Sequence, residues 1–102
     1  MEVTKDTKEL ASFISGCKGI SDDYCSKNSY MLKSFRVTFG KKYAKVYTKD
    51  SQESIFCFID LTNGDVLKPA SHAVPAKHAR GNIFDKTNGL SMIGPYGPAY
   101  LK

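Results

Sequence analysis

The sequence predicts an α+β fold: one or two helices at the N-terminus, then a four-stranded antiparallel β-meander, then an irregular Pro/Gly-rich segment wrapping the sheet. Three observations predict it. Apolar residues recur at helical spacing in the first third, alternate from Phe35 to Lys68, and lose all period beyond Lys68. The 102 residues suit a single small domain, with a helical part at 1–32, the meander at 33–68 and the wrapping segment at 69–102. With 41% apolar and 25% charged residues the composition is that of an ordinary globular chain, and wholesale disorder is excluded.

Asp6 followed by Glu9 has the spacing of a capping box, and Leu10, Phe13 and Ile14 then form one apolar stripe. Gly16 is placed to end that helix. Ser21, with Asp22 and Asp23 behind it, offers a second helix start favoured by the helix dipole. From Phe35 the period becomes two: Phe35, Val37 and Phe39 alternate with Arg36 and Thr38. Gly40-Lys41 fits a type II′ turn with Gly at its first central position. A second strand runs from Tyr43 to Thr48. Ser54 to Asp60 is apolar on both faces and reads as a central strand. Asn63-Gly64 is a turn signal, and Asp65 to Lys68 returns as a fourth strand ended by Pro69. Sheet order is expected to follow chain order. Residues 69–102 hold all four prolines, yet Ile83, Phe84, Leu90, Met92, Ile93, Tyr96, Tyr100 and Leu101 are too many large apolar groups for a disordered tail. Docking of Gly94 to Leu101 onto the sheet is the favoured reading, and docking onto another protein the alternative.

Charge is distributed in blocks. Fifteen Lys and Arg against ten Asp and Glu give a net +5. Lys33, Arg36, Lys41, Lys42, Lys45 and Lys49 fall in 31–49 without one acid, whereas 50–67 holds Asp50, Glu53, Asp60 and Asp65 without one base. Lys68, Lys77, Arg80 and Lys86 then restore positive charge. Two basic blocks could form a stripe for an anionic partner, or could pair with the acidic block and cancel. No apolar run reaches the ~18 residues of a membrane span, and Met1 to Lys5 lacks a secretory leader's apolar stretch. Three cysteines without a CxxC pair make neither a disulfide framework nor a zinc site, which points to a reducing, intracellular setting.

The run Pro75-Ala-Lys-His-Ala-Arg-Gly-Asn-Ile-Phe-Asp85, followed by Gly94-Pro-Tyr-Gly-Pro-Ala-Tyr-Leu-Lys102, resembles a family of small uncharacterised proteins of tailed phages and large aquatic DNA viruses. Gly40 to Val46 and Phe56 to Asp60 extend the resemblance over residues 33–102. The chain departs from that family at His72, where its members tend to carry Trp. The resemblance implies a viral origin and action in the infected host's cytoplasm or in the virion. It carries no activity and no catalytic residues.

Two constellations bear on function. Tyr43, Lys45 and Tyr47 share one face of the second strand, and Phe56 and Phe58 are expected to share a face of the third. Brought together, with Arg36, Lys41 and Lys42 alongside, they would stack bases and meet phosphates as single-strand binders do. The plainer alternative makes Phe56 and Phe58 core. In the second constellation, Lys68, His72, Lys77, His78 and Arg80 lie close in sequence to the Gly81-Asn82 amides and could hold a phosphate. Alternatively Lys77 and Arg80 latch the loop to Asp60 and Asp65. Enzymatic signals are thin: no HxH, HExxH, P-loop or GxGxxG is present, Cys57 suits an inert core thiol, and no catalytic residue, metal or cofactor is expected.

The expectation is therefore a non-enzymatic viral protein that binds nucleic acid, single-stranded by preference, through Arg36, Lys41, Lys42, Tyr43, Lys45, Tyr47, Lys68, Lys77, His78 and Arg80. The alternatives are a protein-interaction module (a host-factor inhibitor or minor virion component) and a nucleotide- or phosphate-binding protein. No membrane partner is expected.

Overall fold

The computed structural model describes residues 2–71 and 74–98. A single helix, α1 (Lys8–Lys27), precedes five strands: β1 (Ser34–Phe39), β2 (Tyr43–Lys49), β3 (Glu53–Asp60), β4 (Asp65–Pro69) and β5 (Pro75–Asn82). Two short strands, β6 (Ile93–Gly94) and β7 (Gly97–Pro98), form a separate ribbon. The main sheet is antiparallel throughout and ordered β1-β2-β3-β4-β5, so strand order does follow the chain.

The helix does not stop at Gly16 or restart at Ser21. Leu10, Phe13, Cys17, Ser21 and Cys25 form one buried stripe along 20 continuous residues. Gly16 is a notch: a Cβ there would lie 2.4 Å from Leu90 Cδ1, so the residue admits a side chain from the C-terminal segment. The true end comes at Asn28–Tyr30. Ser29 takes a left-handed φ of 57°, and Tyr30 N–H donates to Cys25 O at 2.8 Å, the six-to-one bond of a Schellman ending.

The β1–β2 turn is centred one residue beyond the expected place. Gly40 N–H donates to Tyr43 O at 2.9 Å around Lys41-Lys42, and Gly40 lacks the positive φ that a II′ turn requires of it. Asn63-Gly64 does turn: Gly64 N–H donates to Asp60 O at 2.7 Å and Asp65 N–H to Asn63 Oδ1 at 2.9 Å.

The expected four strands are five. Pro75–Asn82, read from sequence as irregular, pairs with β4 through two register shifts. This strand forms without apolar alternation because it is an edge and one flank of it is left to solvent. Ala44, Val46, Cys57, Ile59, Val66 and Ile83 meet Phe13 and Cys17 of α1 in the core. Burial pushes the Cys17 thiol up to about 12 and raises Cys57 strongly as well, so both are protonated and inert.

Beyond β5 the chain is held by polar side chains. Asp85 Oδ1 accepts from Thr87 N–H (2.9 Å), Thr87 Oγ1 (2.8 Å) and Gly89 N–H (3.0 Å). Asn88 Nδ2 donates to Ile83 O at 2.7 Å and to Glu9 O of the helix at 3.0 Å. Gly97 then passes so close to β3 that a Cβ would lie 2.6 Å from Phe56 O, at a φ of 116° that only glycine adopts freely. Residues 93–98 thus lie against the helix and the sheet, as a wrapping segment should. Tyr100 and Leu101, part of the expected docking tail, lie outside the described residues.

Candidate nucleic-acid interface

The helix covers one face of the sheet, and the opposite face carries the outward residues of β1 and β2. Strand register builds that face in rows. Arg36 lies opposite Tyr47, and Thr38 opposite Lys45, which in turn lies opposite Phe58; Tyr43 lies opposite Asp60. Two of these rows pair a cation with a ring and the third pairs Tyr43 with an acid, while along β2 itself ring, cation and ring alternate once Ala44, Val46 and Thr48 turn to the core.

The two phenylalanines do not share that face. A β-bulge in β3, opposite Val46 and Tyr47, inserts Phe56 as an extra residue. The bulge puts the Phe56 ring in the core beside Phe35, with ring centroids 5.2 Å apart, together with Cys57 and Ile59. Phe58 stays on the outer face but is only 1% exposed, with Tyr43 edge-on at 5.9 Å and Lys45 Nζ 5.6 Å above it. Neither ring is open to a base. Tyr43 and Tyr47, both half-buried, remain as the rings of this surface.

The cations are arranged in three ways. Arg36 lays its guanidinium 4.1 Å over the Tyr47 ring and forms a two-pronged pair with Glu53, Nε to Oε2 at 2.6 Å and Nη2 to Oε1 at 2.7 Å. This pair raises Arg36 and holds the Glu53 carboxyl below its usual range. Lys42 Nζ lies 5.4 Å from the Tyr43 ring, and Lys41 is exposed at the hairpin tip. Lys77 is exposed on β5, across a cleft of about 330 Å³ that it shares with Tyr43, Asp60 and Asp65. Lys41, Lys42 and Lys77 make no ion pair among the described residues.

The second expected constellation is dispersed. Lys68 Nζ donates to Pro98 O at 3.3 Å on the far ribbon, and Arg80 is 9% exposed, with Nη1 donating to the His78 carbonyl. His78 is exposed, and His72 lies outside the described residues. Asn82 N–H points to Asp85 Oδ2 at 3.3 Å, so an amide expected to face an anion meets a carboxylate instead. Asn82 ties this end of β5 to the acidic block: its Nδ2 donates to Asp65 Oδ1 (3.0 Å) and Asn63 O (2.9 Å).

Sequence reasoning missed one feature. Tyr24, Tyr30 and Tyr96 converge at the end of α1 on a cleft of about 250 Å³ shared with Lys33 and Asp50. A signal was present in the unusual Gly94-Pro-Tyr-Gly-Pro98 run, but the partner rings lie about seventy residues away. Among the described residues, no three His, Cys, Asp or Glu side chains are grouped to hold a metal ion, and no helix is long and apolar enough to cross a membrane.

Fold and surface together define an α+β protein with one helix on a five-stranded antiparallel meander and a tyrosine- and cation-bearing outer face. The chain belongs to DUF7717, a family of unknown function, which it matches over residues 2–96. No curated protein and no solved structure matches it.

Proposed function

We propose that the protein is a non-enzymatic viral protein that binds single-stranded nucleic acid on the outer face of its sheet, in the cytoplasm of the infected host. The observation that carries this reading is the alternation of Tyr43, Lys45 and Tyr47 along one face of β2, with Arg36 of β1 beside Tyr47, flanked by Lys41, Lys42 and Lys77, which make no ion pair among the described residues. Arg36 is held by Glu53, so its part is to pave Tyr47, and phosphates fall to Lys41, Lys42, Lys45 and Lys77. Lys68, His78 and Arg80 have no place in this surface. Viral origin rests on the resemblance of the Pro75–Asp85 and Gly94–Lys102 runs.

Lys41→Glu, Lys42→Glu and Lys45→Glu together abolish binding of a labelled oligonucleotide in fluorescence anisotropy at low salt. Log affinity of the wild type falls linearly with log salt as counterions are released. Undiminished binding by the triple variant rejects the site.

A second reading, a protein-interaction module, is favoured by exposed apolar side chains at Tyr30 (57%), Met31 (71%) and Leu32 (52%), with Tyr96 (66%) nearby. Gel filtration with and without oligonucleotide separates the two: a shift only with oligonucleotide supports the first reading, and a stable dimer indifferent to it supports the second.

A further inference from the structure

The three-tyrosine cleft at the end of α1 has a chemistry of its own. Tyr24 and Tyr96 meet edge to face with centroids 5.5 Å apart and hydroxyls 3.3 Å apart, and Tyr30 lies tilted against Tyr24 at 6.0 Å. Lys33 Nζ stands 4.9 Å over the Tyr96 ring. The ammonium subsite that a tyrosine cage offers is thus already filled by the chain's own lysine. What stays open is ring surface on Tyr30 and Tyr96, both exposed, and the exposed carboxylate of Asp50. Gln52 N–H donates to Asp50 Oδ1 at 3.1 Å, and a carboxylate of two oxygens has lone pairs to spare beyond such turn amides. Turn amides, chiefly Gln52 N–H, hold the Asp50 carboxyl below its usual range, so it is an ionised acceptor at neutral pH.

The cleft is also placed to receive a strand. The outward residues of β2, Tyr43, Lys45, Tyr47 and Lys49, lead along the outer face to Asp50 at its rim.

We infer that this cleft is a nucleobase pocket in which Tyr30 and Tyr96 stack one base, Asp50 accepts from its exocyclic amino group and Lys33 meets the adjoining phosphate. This inference rests on the nucleic-acid reading above and adds selectivity to it. Cytosine offers the N4 amino donor a carboxylate needs, whereas thymine presents a carbonyl oxygen at that position, which a carboxylate repels. Stacking alone is indifferent to base identity. Any preference must therefore come from Asp50.

The test is fluorescence anisotropy with labelled oligo-dC and oligo-dT of about 12 nucleotides, within the span of known single-strand platforms. Wild type favours oligo-dC by about fivefold or more. The double variant Tyr30→Ala, Tyr96→Ala weakens both by roughly 5- to 100-fold. Asp50→Ala removes a negative charge, so it leaves or improves oligo-dT binding while the ratio falls to about one. Should the double variant bind both oligonucleotides within about twofold of wild type, with the lysine triple variant still inactive, the pocket is overturned and the sheet-face reading stands. Failure of wild type to bind any oligonucleotide overturns both. If the double variant does not fold, titration of wild type with cytidine monophosphate decides: ring-proton shifts at Tyr24, Tyr30 and Tyr96 support the pocket, and shifts confined to Tyr43 and Tyr47, or none, reject it.

Discussion

The meander and the segment that follows it are held together by opposite means. From Ser34 to Pro69 the chain is fixed by repeated backbone ladders and a shared apolar face, so each residue contributes a little and the pattern repeats. From Asn82 to Leu90 single turn bonds and the buried Ile83 side chain are joined by three polar side chains, Asn82, Asp85 and Asn88, which among them satisfy turns, the Asn63 carbonyl and the first turn of the helix. Stability in the first region is distributed; in the second it is concentrated. The Pro75–Asp85 run holds two of these anchors, Asn82 and Asp85, so that part of its composition has a structural explanation.

Breaking the distributed side takes a large change. Phe13→Ala removes a fully buried ring between helix and sheet and lowers unfolding free energy by about 3–5 kcal/mol, measured by denaturant titration. Hydrogen exchange in that variant loses protection across all strands together. Asn82→Ala strips partners from Asn63 O, Asp65 and Phe84 N–H and costs about 1–3 kcal/mol. Its loss of protection is confined to 82–90; equal loss in β1 and β2 would show that the two regions open as one.

Acid sharpens the contrast. Gly89 N–H, then the Thr87 hydroxyl and amide, hold the Asp85 carboxyl below its ordinary value. A carboxyl lowered on folding stabilises the fold above its unfolded pKa, and that contribution is lost as pH falls through the folded value. Protection of the 85–89 amides, taken against their intrinsic exchange rates, therefore falls below about pH 4, ahead of the meander.

Two smaller changes should add stability. Ser21 Oγ is buried in α1 and finds no hydrogen-bond partner among the described residues, so Ser21→Ala raises stability by about 1 kcal/mol. Ser29→Gly relieves the left-handed backbone at the helix end and adds about 1 kcal/mol or less, read as a small rise in Tm.

What could be read from the sequence follows the same division. Alternation located β1 and β2, a continuous apolar run buried on both faces located β3, and the Asn63-Gly64 turn located β4. β5 carries Lys77, His78, Arg80 and Gly81, and only its pairing with β4 makes it a strand. Gly16 and Ser21 carry the local marks of a helix end and a helix start, but the helix runs through both: Leu90 packs into the Gly16 notch and Ser21 lies in the buried stripe. The Phe56 bulge has no mark in the sequence, so the expected pairing of Phe56 with Phe58 failed while that of Tyr43, Lys45 and Tyr47 held. The cleft of Tyr24, Tyr30 and Tyr96 needs a contact across most of the chain, which no local period encodes.

The two sealed thiols have a practical consequence. Cys17 and Cys57 sit at zero exposure near the centre of the molecule, held protonated by their surroundings. An alkylating reagent reaches them only when helix and sheet part company, so their labelling rate clocks whole-molecule breathing. The protein carries its own integrity gauge, legible by mass spectrometry in a crude extract without any engineered probe.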